Sequence, residues 1–320
     1  MPFKKSMQTV NIDENTPYRR KCVLAIGMFD GLHKGHARVI KKALELAKKH
    51  NAVPCVLTFS PHPSQVINMG REPAKMIFPP ARRSAEFEAA GIKKVFVKNF
   101  TKTFAKMSPE EFAEELTRLF PNLKAIITGF NFVFGHKASG NTKTLGEISK
   151  RNGWQYCAVA GKFLPDGRRI SSSLMRTAVE NANFALYEAI KGKKYEVFGR
   201  AKRGKHLGAK IGIPTINIPW NPDCKPLFGA YAVELVRLKT GVKYRGVASY
   251  GTAPTVGKTE PLIEVNLFEN VKFGAPENFK ITMLKFLRRQ EKFASLDALV
   301  AAIKKDKKTA EKFFDGMRGK

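Results

Sequence analysis

Two histidines three residues apart, His33 and His36, stand among glycines in the segment Gly27-Met-Phe-Asp-Gly-Leu-His-Lys-Gly-His36. An imidazole N–H donates well to a phosphate oxygen, and two rings at this spacing converge where the chain turns. Such a pair suits the stabilisation of charge that builds on phosphorus during in-line attack. Gly31 and Gly35 let the backbone turn tightly and approach an anion. An apolar stretch of strand type, 23–29, leads into the turn, and a helical pattern leaves it. A helix that opens near Gly35 points unpaired N–H groups and its positive dipole end at the same anion. Gly27, Phe29 and Asp30 belong to the same turn. The alternative is a pair of surface histidines. Yet two of only six histidines in the chain share this one strand-to-helix junction.

Three further segments carry related chemistry. Arg169 and Arg176, in Arg169-Ile-Ser-Ser-Ser-Leu-Met-Arg176, bring permanent charge to a triphosphate or a departing pyrophosphate. Ser172 between them is expected to act both as hydroxyl donor and as the N-cap of a helix. Gly129-Phe-Asn-Phe-Val-Phe-Gly135 sets Asn131 among three aromatics, which read equally as core or as a wall for a flat ring. His62, between two prolines in Leu57-Thr-Phe-Ser-Pro-His-Pro63, suits ligand contact and turn-shaping alike.

A second cluster lies further along. Glycines at 199, 204, 208 and 212 precede Ile213-Pro-Thr-Ile-Asn217 and permit backbone amides to surround a phosphate, while Lys202, Arg203 and Lys210 add charge. Glu264 alternates with Ile263 and Val265 and so faces away from them. Inside a small barrel this carboxylate takes a hydroxyl proton as general base; on an exposed strand it is only solvated.

In this order the segments resemble those of the prokaryotic bifunctional riboflavin kinase/FAD synthetase family, over nearly the whole chain. Gly27 to His36 is similar to that family's His-x-Gly-His nucleotidylyltransferase signature, and Gly-x-Pro-Thr-x-Asn at 212–217 to its kinase metal motif. The resemblance implies an α/β architecture. A Rossmann-like nucleotidylyltransferase domain with a parallel sheet spans 1–184. An antiparallel β-barrel riboflavin kinase domain with a C-terminal helix spans 185–320. It implies that one ATP phosphorylates riboflavin to FMN and a second adenylylates FMN to FAD, releasing pyrophosphate. By the same resemblance His33, His36 and Arg169 are catalytic, with Gly27, Phe29, Asp30, Gly31, Gly35, Ser172 and Arg176 around the nucleotide. Asn131, Phe59 and His62 then face the flavin. In the kinase half Gly204, Gly208 and Gly212 surround ATP, Thr215 and Asn217 hold Mg²⁺, and Glu264 activates the ribityl hydroxyl.

The sequence also departs from the family. Asn131 stands where many relatives carry Asp, and Ala81-Arg-Arg83 replaces a Glu-Lys helix start. Arg203 and Ala209 replace His and Arg, Ala253 interrupts a Gly-Thr-Arg-Pro-Thr pattern, and Val271-Lys-Phe-Gly274 replaces an Asp-Leu-Tyr-Gly type. An FMN adenylyltransferase with a degenerate kinase-like barrel is therefore the competing reading.

The elements that must position these groups follow from the pattern. Buried strands are expected at 23–29, 53–59, 94–100, 123–129 and 154–160, with helices at 35–49, 86–91 and 145–152 between them. Ser108, Pro109 and Glu111 mark the start of another helix, to about 120. Apolar runs without alternation, separated by helices, predict a parallel sheet covered on both faces. Short helices at 172–181 and 184–191 follow. Strands punctuated by Gly and Pro at 195–201, 215–218, 230–238, 243–249, 262–268 and 279–286 predict an antiparallel barrel, and Ser295 caps a closing helix to 314.

The chain of 320 residues suits two domains, and 43% hydrophobic residues supply packed cores. Apolar runs fall short of the roughly 20 residues a membrane helix needs, the N-terminus has no apolar signal core, and the four cysteines form no Cys-x-x-Cys pair. A cytoplasmic protein is expected. The net charge of +30 is spread along the chain rather than gathered in an aromatic-interleaved stripe, which predicts solvated faces and anionic small substrates, not a nucleic-acid partner. Oligomeric state is not legible.

Overall fold

The apolar run Cys22–Ile26 is buried at every position, as a strand must be when helices cover both faces of its sheet. In the computed structural model, which describes residues 9–12, 16–67, 70, 72–202, 212–253, 258–271 and 276–318, the chain forms two compact units, Phe3–Leu174 and Met175–Lys320.

The first unit holds β1 (Thr9–Asn11), β2 (Cys22–Ile26), β3 (Val53–Ser60), β4 (Lys94–Asn99), β5 (Leu123–Gly129) and β6 (Gln155–Val159) in the order β1-β4-β3-β2-β5-β6. Every pairing is parallel. Alternate residues of β2 serve opposite cores: Leu24 and Ile26 pack with Phe112, Leu116 and Ile148, whereas Val23 and Ala25 pack with Val39, Ala43 and Phe87. The first set comes from α4 (Pro109–Leu119) and α5 (Thr142–Arg151), the second from α1 (Lys34–Lys49) and α3 (Pro80–Ala89). A one-turn helix, α2 (Pro63–Val66), follows β3. From β2 the chain passes to β3 on one side, while β5 pairs on the other. The sheet therefore splits beside the C-terminal end of β2, where open α/β sheets place their ligands. The segments 27–36 and 129–135 leave from the two strand ends at that split.

Ser108 caps α4 as expected: its Oγ accepts from the Glu111 N–H (3.1 Å), and the Glu111 carboxylate accepts from the Ser108 N–H (2.6 Å). These bonds hold the Glu111 carboxyl below its ordinary range. Other boundaries shift. α5 begins at Thr142 rather than 145, because Asn141 caps the N–H groups of Lys143 and Thr144. α3 begins at Pro80 rather than 86, with proline in the first turn where no N–H is needed. The edge strand β1 had no sequence signal.

The second unit opens with α7 (Phe184–Lys191), whose Phe184 ring stacks on Tyr195 (5.2 Å). Its sheet contains β7 (Tyr195–Arg200), β8 (Ile216–Pro219), β9 (Gly229–Arg237), β10 (Lys243–Ala253), β11 (Lys258–Leu267) and β12 (Asn278–Arg289), ordered β7-β12-β9-β10-β11-β8 and antiparallel throughout. Two irregularities in β12 against β9 bend it. The sheet curls until its edges meet: beyond β7 the Lys202 N–H donates to the Asn217 carbonyl of β8 (2.9 Å). Ile218, Tyr231, Tyr250, Ile263 and Val265 are fully buried and fill the interior. Burial drives the Tyr231 and Tyr250 hydroxyls well above the usual tyrosine range.

The closing helix, α8 (Leu296–Arg318), starts from Ser295, whose Oγ accepts the Ala298 N–H. It lays Ala310 and Phe314 over Ala232 and Val247 on the outer face. Asp306 is buried and receives the Arg288 guanidinium from β12 (Nε to Oδ1 3.0 Å, Nη2 to Oδ2 2.8 Å). Asp306→Ala leaves Arg288 29% exposed and still paired with Glu291 (3.0 Å), so the loss of these charge-assisted bonds is expected to cost about 1.5 kcal/mol. Calorimetry should show the barrel transition moved to lower temperature.

Candidate active sites

The turn after β2 folds through three left-handed residues on either side of Asp30: Phe29 (φ 50°) before it, and Gly31 (φ 74°) and Leu32 (φ 40°) after it. Phe29 bears this conformation because its ring is 1% exposed and meets Phe87 edge-on at 5.6 Å. Phe29 can therefore serve a nucleotide through its backbone, not its ring. The Asp30 carboxylate accepts from the N–H groups of Ile77 (3.0 Å) and Phe78 (3.4 Å), and its carbonyl accepts from the Ser172 hydroxyl (2.9 Å). The Met28 carbonyl accepts from Thr58 Oγ1 (3.3 Å) and Arg83 Nη1 (3.2 Å).

The two histidines come together. His33 is the N-cap of α1, its Nδ1 accepting the His36 N–H (3.2 Å). That bond places the proton of the neutral ring on Nε2, a donor of the kind a phosphate oxygen requires. The rings stack with centroids 3.7 Å apart, and Phe29 braces His36 edge-on at 5.2 Å. A Cβ on Gly35 would meet the His33 ring at 3.0 Å and press it by a few tenths of an ångström out of the stack.

Ser172 does not cap α6 (Ser172–Glu180). Ser171 does, its Oγ accepting the Leu174 N–H (3.2 Å), because the Ser172 hydroxyl is committed to Asp30. Arg176 follows one turn later, beyond residue 174 where the first unit ends. Arg169 stands on a short hairpin, bridged to Phe163, with its guanidinium 5.7 Å from the Phe130 ring centre. The three aromatics around Asn131 divide. Phe134 is buried and Phe132 stacks on it (5.7 Å) in the core, while Phe130 is 42% exposed beside Arg169. Asn131 itself is exposed. Phe59 is buried between Phe100 and Phe104. His62 is half-buried and caps α2, its Nδ1 accepting from the Ser64 N–H.

In the second unit Glu264 lies directly opposite Asn217 on β8 and opposite Ser249 on β10. Directly opposed residues share a face; Thr215 stands just before β8 begins, outside the paired register. Of the two placements that alternation left open for Glu264, barrel interior or exposed strand, this face is the outer one. Ile263 and Val265 take the interior, and Glu264 sits half-buried outside. Asn217 Nδ2 donates to the Thr215 carbonyl (3.4 Å) and Asn266 Nδ2 to the Pro214 carbonyl (2.8 Å), which fixes the segment against β11. Neutral oxygens of Thr215 and Asn217 beside one carboxylate suit a hard cation that takes its remaining ligands from phosphates. Gly212 is exposed with φ 72°. Gly204, Gly208, Arg203 and Ala209 lie outside the described residues.

Thr58, Arg83, Ser249 and Asn266 escaped the sequence reading. A signal existed for Arg83: it lies one helical turn before the apolar Phe87 and so on the same side of α3, the side that is buried.

Residues 15–174 match the FAD synthetase family and residues 191–314 the riboflavin kinase family. Bifunctional riboflavin kinase/FMN adenylyltransferases from Bacillus subtilis and Haemophilus influenzae are similar throughout. The first is 33% identical, covering 93% of this chain and 94% of that one. The second is 35% identical, covering 92% and 94%. A solved structure described as a macrolide-efflux protein from Streptococcus pneumoniae has 27% identity and a TM-score of 0.77, covering 92% of this chain and 95% of that one. Among the described residues no helix is long and apolar enough to cross a membrane.

Proposed function

The chain belongs to the bifunctional riboflavin kinase/FMN adenylyltransferase family, and on that premise we propose which of its residues perform each step. It is an enzyme that phosphorylates riboflavin with ATP and adenylylates the resulting FMN with ATP to give FAD. The proposed division of the two activities, 1–184 and 185–320, falls in the gap between the family matches.

In the first half the FMN phosphate oxygen attacks the α-phosphorus of ATP, and the bond to the β-phosphate oxygen breaks. His33 and His36 donate to the α-phosphate oxygens, where charge accumulates. Arg169 holds the departing pyrophosphate, with Arg176 in support. The glycines and the α1 N-terminus cradle the nucleotide, and Ser172 holds the turn that presents them. Asn131 and His62 line the flavin side, which their position after β5 and β3 supports, and Phe59, next to last in β3, backs that side from the core. The step needs positioning and electrostatics and no covalent intermediate.

In the second half Glu264 takes the proton of the riboflavin 5′-hydroxyl as its oxygen attacks the γ-phosphorus, and ADP leaves. Thr215 and Asn217 hold Mg²⁺, which when bound neutralises the ATP phosphates. Gly204, Gly208 and Gly212 approach the nucleotide. The observation that carries this assignment is the register that sets Glu264 opposite Asn217. A cytoplasmic site of action is part of this proposal, supported by four cysteines that all remain free thiols.

Incubation with riboflavin, ATP and Mg²⁺, followed by chromatography, is expected to show FMN rising first and FAD after it. Excess chelator should stop FMN formation, and added Mg²⁺ should restore it. FAD made from supplied FMN, with no FMN made from riboflavin, would establish the degenerate barrel instead.

A further inference from the structure

The steps above make no use of Arg83, although its charge lies against the turn that carries the histidines. Its side chain is 6% exposed, and Nη1 donates to the Met28 carbonyl. Burial pulls its guanidinium below the ordinary arginine range, against the opposing pull of the Asp30 carboxylate. α3 and the segment leading into it hold three consecutive residues of the turn: Arg83 holds Met28, Phe87 holds the Phe29 ring, and the Ile77 and Phe78 amides hold Asp30. Phe29, at their centre, carries the left-handed φ and braces His36. Bracing the Met28 carbonyl does not require a charge, since the neutral Thr58 hydroxyl already donates there. A buried guanidinium is costly to keep, and what it adds is a fixed positive charge, little screened by salt, that offsets the fully buried Asp30 carboxylate beside the phosphate-binding turn.

We infer that Arg83 is a positioning residue for adenylyl transfer, holding Met28–Asp30 so that the His33–His36 pair is aimed at the α-phosphate and offsetting the buried Asp30 carboxylate, which would otherwise face the phosphates uncompensated. This rests on the reading of Gly27 to His36 as the ATP turn.

The test uses the full chain with FMN, ATP and Mg²⁺. Arg83→Met keeps side-chain length and removes the charge; its kcat for FAD formation is expected to fall by about 30- to 100-fold. Riboflavin phosphorylation should stay at the wild-type rate. Arg83→Lys should recover most of the loss without recovering any lost thermal stability. The deficit of Arg83→Met should be the same at low and high salt. Wild-type kcat in folded Arg83→Met would overturn the inference. So would an Arg83→Lys variant as slow as Arg83→Met with an equally lowered unfolding midpoint, which marks a structural role. Should Arg83→Met fail to fold, Arg83→Gln and Arg83→Lys make the same comparison. His36→Ala separates the two ideas. FAD formation that survives it defeats the ATP-turn reading, whereas its loss beside a fully active Arg83→Met defeats only the role of Arg83.

Discussion

Glu264→Gln is expected to lower riboflavin phosphorylation by about a thousand-fold, within the span typical of a lost general base, while FAD formation from supplied FMN continues unchanged. Glutamine keeps the size and hydrogen-bonding reach of glutamate and cannot accept the hydroxyl proton. The loss should therefore appear in kcat, with KM for riboflavin nearly constant. The surroundings tolerate the change: Glu264 is half-buried on the outer face, between Asn217 and Ser249, and the interior beneath it is packed by Ile263 and Val265. A variant that makes FMN at the wild-type rate would reduce Glu264 to a solvated strand residue. A parallel fall in both activities would contradict separate sites.

His36→Ala is expected to do the reverse, lowering kcat for FAD formation by about 10²- to 10³-fold, the effect of removing one donor to a developing oxyanion. Riboflavin phosphorylation should not change. Position 36 lies in the first turn of α1, where alanine is well accepted, and its main-chain N–H still bonds His33 Nδ1. The side chain alone is lost, and with it the stacked partner of His33. Steady-state rates with FMN as acceptor, set beside phosphorylation rates on the same preparation, give the comparison. FAD formation within a few-fold of wild type would return the pair to the status of surface histidines in a tight turn.

What was legible in the sequence was local. The run into Gly27, the glycines and the helical pattern after His36 specify a strand, a turn and a helix within a short stretch, and the two histidines converge there as expected, in a stack that the spacing did not foretell. Ser108 and Glu111 likewise announce a capping box that depends on nothing distant. The late starts given to α3 and α5 had local causes, a proline and an asparagine cap, but the other misreadings turn on contacts between residues far apart in sequence. Which of two adjacent serines caps α6 is decided by Asp30, which claims the hydroxyl of Ser172 and leaves the cap to Ser171. Alternation separated Glu264 from its apolar neighbours correctly. Which side becomes the interior depends on the direction in which the sheet curls. β1 is three residues long and exists through its pairing with β4. Arg83 looked like a variation at a helix start because its partner, Met28, comes from another layer of the fold.

The seam of the barrel has a consequence for how the kinase half meets its ligands. Asn217 gives its carbonyl to the Lys202 amide that joins the two edges, and on the proposed assignment it gives its side chain to the metal. Whatever restrains the side chain also restrains the joint. Ligand occupancy and local opening are then linked equilibria, so the exchange rate of the single Lys202 amide hydrogen reports how tightly substrate is held.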